Sequence, residues 1–328
     1  VKPLWRAREA STIAILVLEV LFFAWYLWPE GLDVGAFLGH GGHPFFNHSN
    51  FLLIFKYSSI YGIAAIGAAI VIITGGVDLS PGSVIALTSV ITGYCFVEAG
   101  WPLGASAAAG LATGLVAGLV SSWLVVSVKL PPFIATLGVM GIWRGLGFII
   151  TEARFYDLSA SLPRDWRVAG VSVDWAGPIV MIVLAAAFQI LMTRFQWGRA
   201  VFAVGGNETA ALFSGIRIGR IKTSAYVLAG LLASVSGVVL AIVQGQGKAD
   251  LATGYELDII ASAVVGGASL SGGRGSVLGA VLGALIFGVL RNALPQIPGA
   301  TFYDRLIVGL AVIVIVVMDQ VLVRRERT

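Results

Sequence analysis

Apolar blocks, most of them near the length of one bilayer crossing, recur along the whole chain, and no other feature restricts its fold as severely. They cover residues 11–28, 51–73, 84–97, 103–128, 133–150, 179–192, 223–243, 257–270, 277–294 and 306–323. A helix needs about 20 apolar residues to cross the ~30 Å hydrocarbon core. The blocks lack the alternation that a lipid-facing barrel strand shows. In lipid every backbone N–H and C=O must be paired within the chain, which leaves helices as the spanning elements. Only 12% of residues are charged, against about 25% in soluble domains. The expected fold is an all-α integral membrane protein with about ten transmembrane helices, forming one domain over residues 1–328.

The net charge of +4 would suit a nucleic-acid partner if the basic residues formed a patch. They sit instead at block ends, where anionic lipid and the positive-inside rule account for them, so no nucleic acid is expected. The first block follows Lys2, Arg6 and Arg8 as in a signal peptide. It is followed by Tyr26, Trp28 and Pro29 rather than a small-residue cleavage site, and reads as a retained span. With both termini in the cytoplasm, the inner loops collect Lys129, Arg194, Arg199, Arg217, Arg220, Lys222, Arg274 and the tail Arg324, Arg325 and Arg327. Outer loops then fall at about 29–50 and 151–175, and a long inner loop at about 194–222.

The chain has no G-x-x-x-x-G-K-[ST] phosphate loop and no H-E-x-x-H, Cys-x-x-Cys or G-x-S-x-G pattern, so neither ATP hydrolysis nor a membrane enzyme has a sequence basis. His40, His43 and His48 share an outer loop without a carboxylate to complete a metal shell, and read as solvated side chains. Cys95 lies in an apolar block and reads as a small hydrophobe.

Two glycine-rich breaks interrupt the apolar pattern. The first, Thr74-Gly75-Gly76-Val77-Asp78-Leu79-Ser80-Pro81-Gly82-Ser83, puts a carboxylate and hydroxyls at membrane depth, where irregular backbone survives only against protein or a water-filled cavity. Asp78 and Ser80 are expected to cap a helix with Pro81 in its first turn. The second runs from Val265 through Gly266, Gly267, Ser269, Gly272, Gly273 and Arg274 to Ser276. Both end on a Gly-Ser-Val step, and interrupted helices in corresponding halves of a chain point to a transport pathway. Arg144, inside the fifth block, costs about 2.5 kcal/mol or more in hydrocarbon and so needs a partner, a cavity or an interface. Glu19 in the first block raises the same question. Asp78, Ser80, Ser83, Arg144 and Ser269 are therefore the candidate residues of a translocation path or its packing.

In the long inner loop, Asn207 can cap a short helix, Glu208 suits its first turn, Ala210 and Ala211 make a slim surface, and Gly215 can end it. Together with Pro132-Phe133-Ile134-Ala135-Thr136-Leu137-Gly138, Arg144-Gly145 and the two breaks, this loop resembles the membrane subunits of bacterial ABC sugar importers, the ribose-type permease family. Its Gly206, Asn207, Glu208, Ala210, Ala211, Ser214 and Gly215 are similar to the E-A-A-x-x-x-G coupling motif, with Thr209 inserted. The resemblance implies a permease dimer, like or unlike, in the bacterial inner membrane. It also implies two cytoplasmic ATPase subunits that hold the ATP and Mg, this chain carrying no cofactor, and a periplasmic sugar-binding protein. The rival readings are a branched-chain amino acid ABC permease and a secondary transporter or channel, which would need ion-coupling carboxylates at the bilayer midplane.

Overall fold

The computed structural model describes residues 4–27, 45–160, 162, 167–168 and 171–299, with single positions 303, 306, 309, 310, 313 and 317. The chain runs α1 (Leu4–Tyr26), α2 (His48–Ile73), α3 (Pro81–Gly93), α4 (Leu103–Ser122) and α5 (Pro132–Thr151). Three short strands follow, β1 (Phe155–Asp157), β2 (Arg167–Val168) and β3 (Val171–Ser172), then α6 (Ala176–Arg194), α7 (Gln196–Gly206) and α8 (Glu208–Phe213). The last elements are α9 (Ile218–Gln244), β4 (Gln246–Lys248), α10 (Tyr255–Val265) and α11 (Val277–Ala293). Helices α3 and α4 each finish in a π-helical turn, Tyr94–Glu98 and Trp123–Ser127.

The helix ends follow local chemistry. Asn47 opens α2 by accepting the Asn50 amide at 2.7 Å, and Gly75 takes the left-handed φ of +83° that closes it. Pro81 and Pro132 stand at the first positions of α3 and α5, where a missing N–H costs nothing. Ser276 opens α11 by accepting the Gly279 amide at 3.2 Å.

Helix α2 is the axis of the bundle. It is buried without a break from Ser58 to Ile73, whereas most of the described side chains of α1 are exposed or half-buried. Around α2 pack α9, α10, α11 and α6. Contacts are close because small residues let backbones approach, which is how helices associate where lipid is as apolar as the side chains. A Cβ on Gly67 would lie 2.7 Å from the Ala229 Cα, and one on Gly118 2.6 Å from the Tyr226 carbonyl oxygen. Helices α10 and α11 form an antiparallel hairpin in which Gly266 meets Gly279 and Gly283 meets the Ser262 carbonyl.

The two ends of the bundle differ. One gathers Lys129, Arg194, Arg199, Arg217, Arg220, Lys222 and Arg274 at helix ends or loops. The other carries a two-stranded antiparallel ribbon, in which Phe155 faces Lys248, Tyr156 faces Gly247 and Asp157 faces Gln246. The expected outer loop at 151–175 thus contains β1, β2 and β3.

Among the described residues eight helical stretches are long and apolar enough to span a membrane. The expected span at 257–270 is not one of them: α10 has 11 residues, about 16 Å of helix, or half a crossing. Its apolar block ran on into Gly266–Leu270, which hydropathy alone counts as span and Gly266 turns into loop. Of the expected tenth span at 306–323 only the single positions 306, 309, 310, 313 and 317 are described, and the basic tail, Glu30, Asp33, His40 and His43 lie outside the described residues. His48 packs its ring 6.4 Å from that of Trp175.

Candidate functional site

The break at 74–80 does lead into a helix that starts inside the bundle, and a second break does the same. That second break is residues 245–254, between α9 and α10, rather than the loop at 266–276. Asp78-Leu79-Ser80-Pro81-Gly82 and Asp250-Leu251-Ala252-Thr253-Gly254 share spacing. Each follows a long helix and opens a shorter one, and the two openings meet. A Cβ on Gly82 would lie 2.8 Å from the Ala252 carbonyl oxygen and would overlap the Glu256 carboxylate. The Glu256 carboxylate therefore sits against the first turn of α3, where the helix dipole favours a negative charge.

The capping expectation needs correction. Asp78, 5% exposed, accepts both the Ser80 amide at 2.8 Å and the Ser80 hydroxyl at 2.7 Å. The Ser80 hydroxyl is thereby committed to Asp78 and makes no cap to α3. Ser83 donates back to the Ser80 carbonyl at 2.8 Å. The carboxylate stiffens the approach to the helix rather than its first turn.

Helix α5 holds both breaks. The Thr136 hydroxyl, bonded to the Pro132 carbonyl of its own helix at 2.9 Å, lies 3.4 Å from the Val77 carbonyl, to which the Tyr226 hydroxyl of α9 donates at 3.5 Å. Arg144, two turns further along α5, donates to the carbonyls of Ala249 at 2.8 Å, Leu251 at 2.6 Å and Ala252 at 3.5 Å. Val77 and Ala249 each precede the shared Asp-Leu step, so α5 grips equivalent carbonyls. This is the partner that Arg144 required. Replacing Arg144 with Leu leaves these carbonyls without the guanidinium, and each lost charge-assisted bond is worth about 1.5–3 kcal/mol. The melting midpoint of the purified chain is expected to fall by several degrees in Arg144→Leu, with partial recovery in Arg144→Lys, which keeps a donor.

At the basic end three glycine pairs converge. The Gly273 amide donates to the Ile73 carbonyl at 2.8 Å. A Cβ on Gly272 would lie 2.7 Å from the Gly205 carbonyl oxygen and 3.1 Å from Gly75, and one on Gly273 2.6 Å from Gly206. Ser269 belongs to this junction, its amide donating to the Arg274 carbonyl at 3.0 Å. It does not join Asp78 and Arg144.

Helix α8 continues from the junction. Asn207 accepts the Ala210 amide at 2.9 Å, Gly215 ends the turn at φ +80°, and Glu208 pairs with Lys222 at 2.7 Å. The alanine surface is not as expected. Consecutive residues point about 100° apart on a helix, and Ala211 turns inward, 4% exposed. What the helix offers outward is Ala210 with Leu212 and Phe213, the last two 57% and 86% exposed.

In the sequence Glu256 and Asp258 read as two acids favouring a helix N-terminus, and α10 does begin there; that reading gave Asp258 no partner and passed over Arg291, although both lie inside apolar blocks. Arg291 donates to Asp258 Oδ2 through Nε at 3.1 Å and Nη2 at 2.7 Å. Glu19 remains as the sequence suggested, with a buried carboxylate oxygen that has no hydrogen-bond partner among the described residues.

A bundle of membrane-length helices interrupted halfway, with a compact helix projecting from its basic end, defines a polytopic membrane permease. The sequence profile described as "Branched-chain amino acid transport system / permease component" matches residues 50–317, and the chain belongs to this family of ABC importer permeases. It is 37% identical to the ribose import permease protein RbsC of Bacillus subtilis over 83% of this chain and 84% of that one. It is 34% identical to RbsC of Escherichia coli K12 over 96% and 94%, and 34% identical to the fructose import permease protein FrcC of Rhizobium meliloti over 85% and 80%. No solved structure matches the chain.

Proposed function

We propose that this chain is the pore-forming subunit of a monosaccharide importer, with the basic end in the cytoplasm and the ribbon end in the periplasm. The similarity to ribose and fructose permeases over most of the chain carries the substrate class and favours it over a branched-chain amino acid. The abundance of Lys and Arg at one end supports the orientation and, with it, a cytoplasmic first residue. The same relatives support placement in a bacterial inner membrane.

In this reading a separate ATPase subunit binds ATP and Mg, and this chain hydrolyses none, having no phosphate loop. The ATPase docks on α8, and its movement reaches the bundle through Gly205 and Gly206. Gly206, Asn207, Glu208, Ala210, Ala211, Ser214 and Gly215 shape that contact, with Leu212 and Phe213 as its apolar anchors. The observation that carries this is Phe213, a large apolar side chain left 86% exposed on a short capped helix. A second permease chain completes the path, along which Asp78, Ser80, Ser83 and Arg144 shape the midpoint. A periplasmic sugar-binding protein loads it from the ribbon end.

The experiment reconstitutes the chain in liposomes with the ATPase and binding protein encoded beside it, and offers radiolabelled ribose, fructose and allose. ATP-dependent accumulation of one of them is expected. Accumulation of leucine alone, or of sugar without ATP, would replace this reading with one of its rivals.

A further inference from the structure

The α10–α11 hairpin is held in two different ways along its length. Near the basic end it is zipped by backbone contact, Gly266 on Gly279 and Ser262 on Gly283, with no side chain between. Toward the opening of α10 the glycines give out, and Asp258 and Arg291 take over. Asp258 is 0% exposed, and both guanidinium donors converge on its Oδ2. Tyr255, one turn before Asp258, lays its ring 4.6 Å from that of Tyr61 on α2. A carboxylate and a guanidinium inside apolar helices are each expensive in lipid and are tolerated when they neutralise one another. A plain packing contact at this position would be served by apolar residues of similar size.

The pair lies between two regions already described. Beyond the C-terminal end of α10 is the glycine junction with Ile73, Gly205 and Gly206. At its N-terminal end is the loop that Arg144 grips and the Glu256 carboxylate that touches α3. A half-length helix with no latch could slide along α11 when the junction moves, and the motion would be lost halfway.

We propose that Asp258 and Arg291 are positioning residues for transport: they lock α10 to α11 as one rigid hairpin, so that a displacement at Gly272 and Gly273 reaches the midpoint of the membrane. This rests on the importer reading above. Neither residue touches the sugar. Their role is to keep ATP hydrolysis and translocation in step.

The test uses the reconstituted importer with ribose, fructose and allose, and reads two quantities: sugar accumulated, and ATP hydrolysis stimulated by the loaded binding protein. In Asp258→Asn, stimulated hydrolysis is expected to stay within about twofold of wild type while sugar moved per ATP falls by about tenfold or more, because a lost charge partner frees the hairpin without touching α8. The exchanged pair Asp258→Arg with Arg291→Asp is expected to recover part of the lost ratio, and Arg291→Lys to lie between. An unchanged ratio in Asp258→Asn overturns the proposal. So does an equal loss of hydrolysis and uptake with a lowered melting midpoint that Arg291→Lys shares, since that is a packing role only. A wild-type complex that neither accumulates sugar nor couples hydrolysis to the binding protein removes the importer reading itself, a result that the variants cannot imitate.

Discussion

A complex carrying Phe213→Asp is expected to lose uptake while the permease itself inserts and keeps its wild-type melting midpoint. Phe213 makes little contact with its own chain, being 86% exposed at the end of α8. Its removal therefore costs the isolated subunit almost nothing. In a docked complex an aromatic anchor of this kind typically carries about 2–4 kcal/mol, or roughly 30-fold to 1000-fold in affinity, and a carboxylate in its place adds desolvation. The ATPase should fail to co-purify. Ala211→Asp gives the instructive contrast. Ala211 faces inward, so the new carboxylate disturbs the seat of α8 on its own chain, and the melting midpoint should fall together with uptake. Retained ATPase binding in Phe213→Asp would remove α8 as the docking element.

Gly205→Ala is expected to be among the most damaging single-methyl changes at the described residues. The added Cβ falls on the Ile73 carbonyl oxygen and 2.6 Å from the Gly273 amide nitrogen. Both neighbours are backbone, so neither can swing aside as a side chain would. Overpacking costs about 1–3 kcal/mol where side chains can adjust, and here the Gly273 to Ile73 hydrogen bond is at stake as well. A loss of several degrees in melting midpoint and loss of uptake should be measurable in the purified complex. Gly206→Ala, one residue on, meets nothing of its own chain within 4 Å and should leave the melting midpoint close to that of wild type. Equal behaviour of the two variants would show that the junction is looser than its geometry implies.

Hydropathy located every described long helix because lipid imposes a simple length rule. It misjudged α10, because a half-helix that continues into an apolar loop has the same composition as a span. The cap of the 207–213 helix was legible in Asn207, and its end in Gly215, since those effects are local. Which alanine faced outward was not, because facing depends on how α8 seats against α7 and α9. The likeness of the two true breaks was also present in the Asp-Leu steps at 78 and 250. It was obscured by the more conspicuous glycines of the 266–276 loop, whose purpose is close backbone contact. The grip of Arg144 on three carbonyls could not be read at all, since the partners lie more than 100 residues away and have no side-chain signature.

The ribbon of β1 and β4 has a consequence for biosynthesis. Phe155 and Lys248 face each other, and between them in the chain lie α6, α7, α8 and the whole of α9. As the polypeptide leaves the ribosome, β1 must wait, exposed and unpaired, until α9 has been delivered across the bilayer. Only then can the 246–248 strand dock, and only then is the following loop drawn back down toward Arg144. In the proposed orientation, with the basic end in the cytoplasm, insertion of this protein therefore includes a closing step on the side opposite to the one where synthesis takes place, with α10 and α11 still to follow. A chain cut short after α9 would present an open strand edge there, a natural target for quality-control proteases.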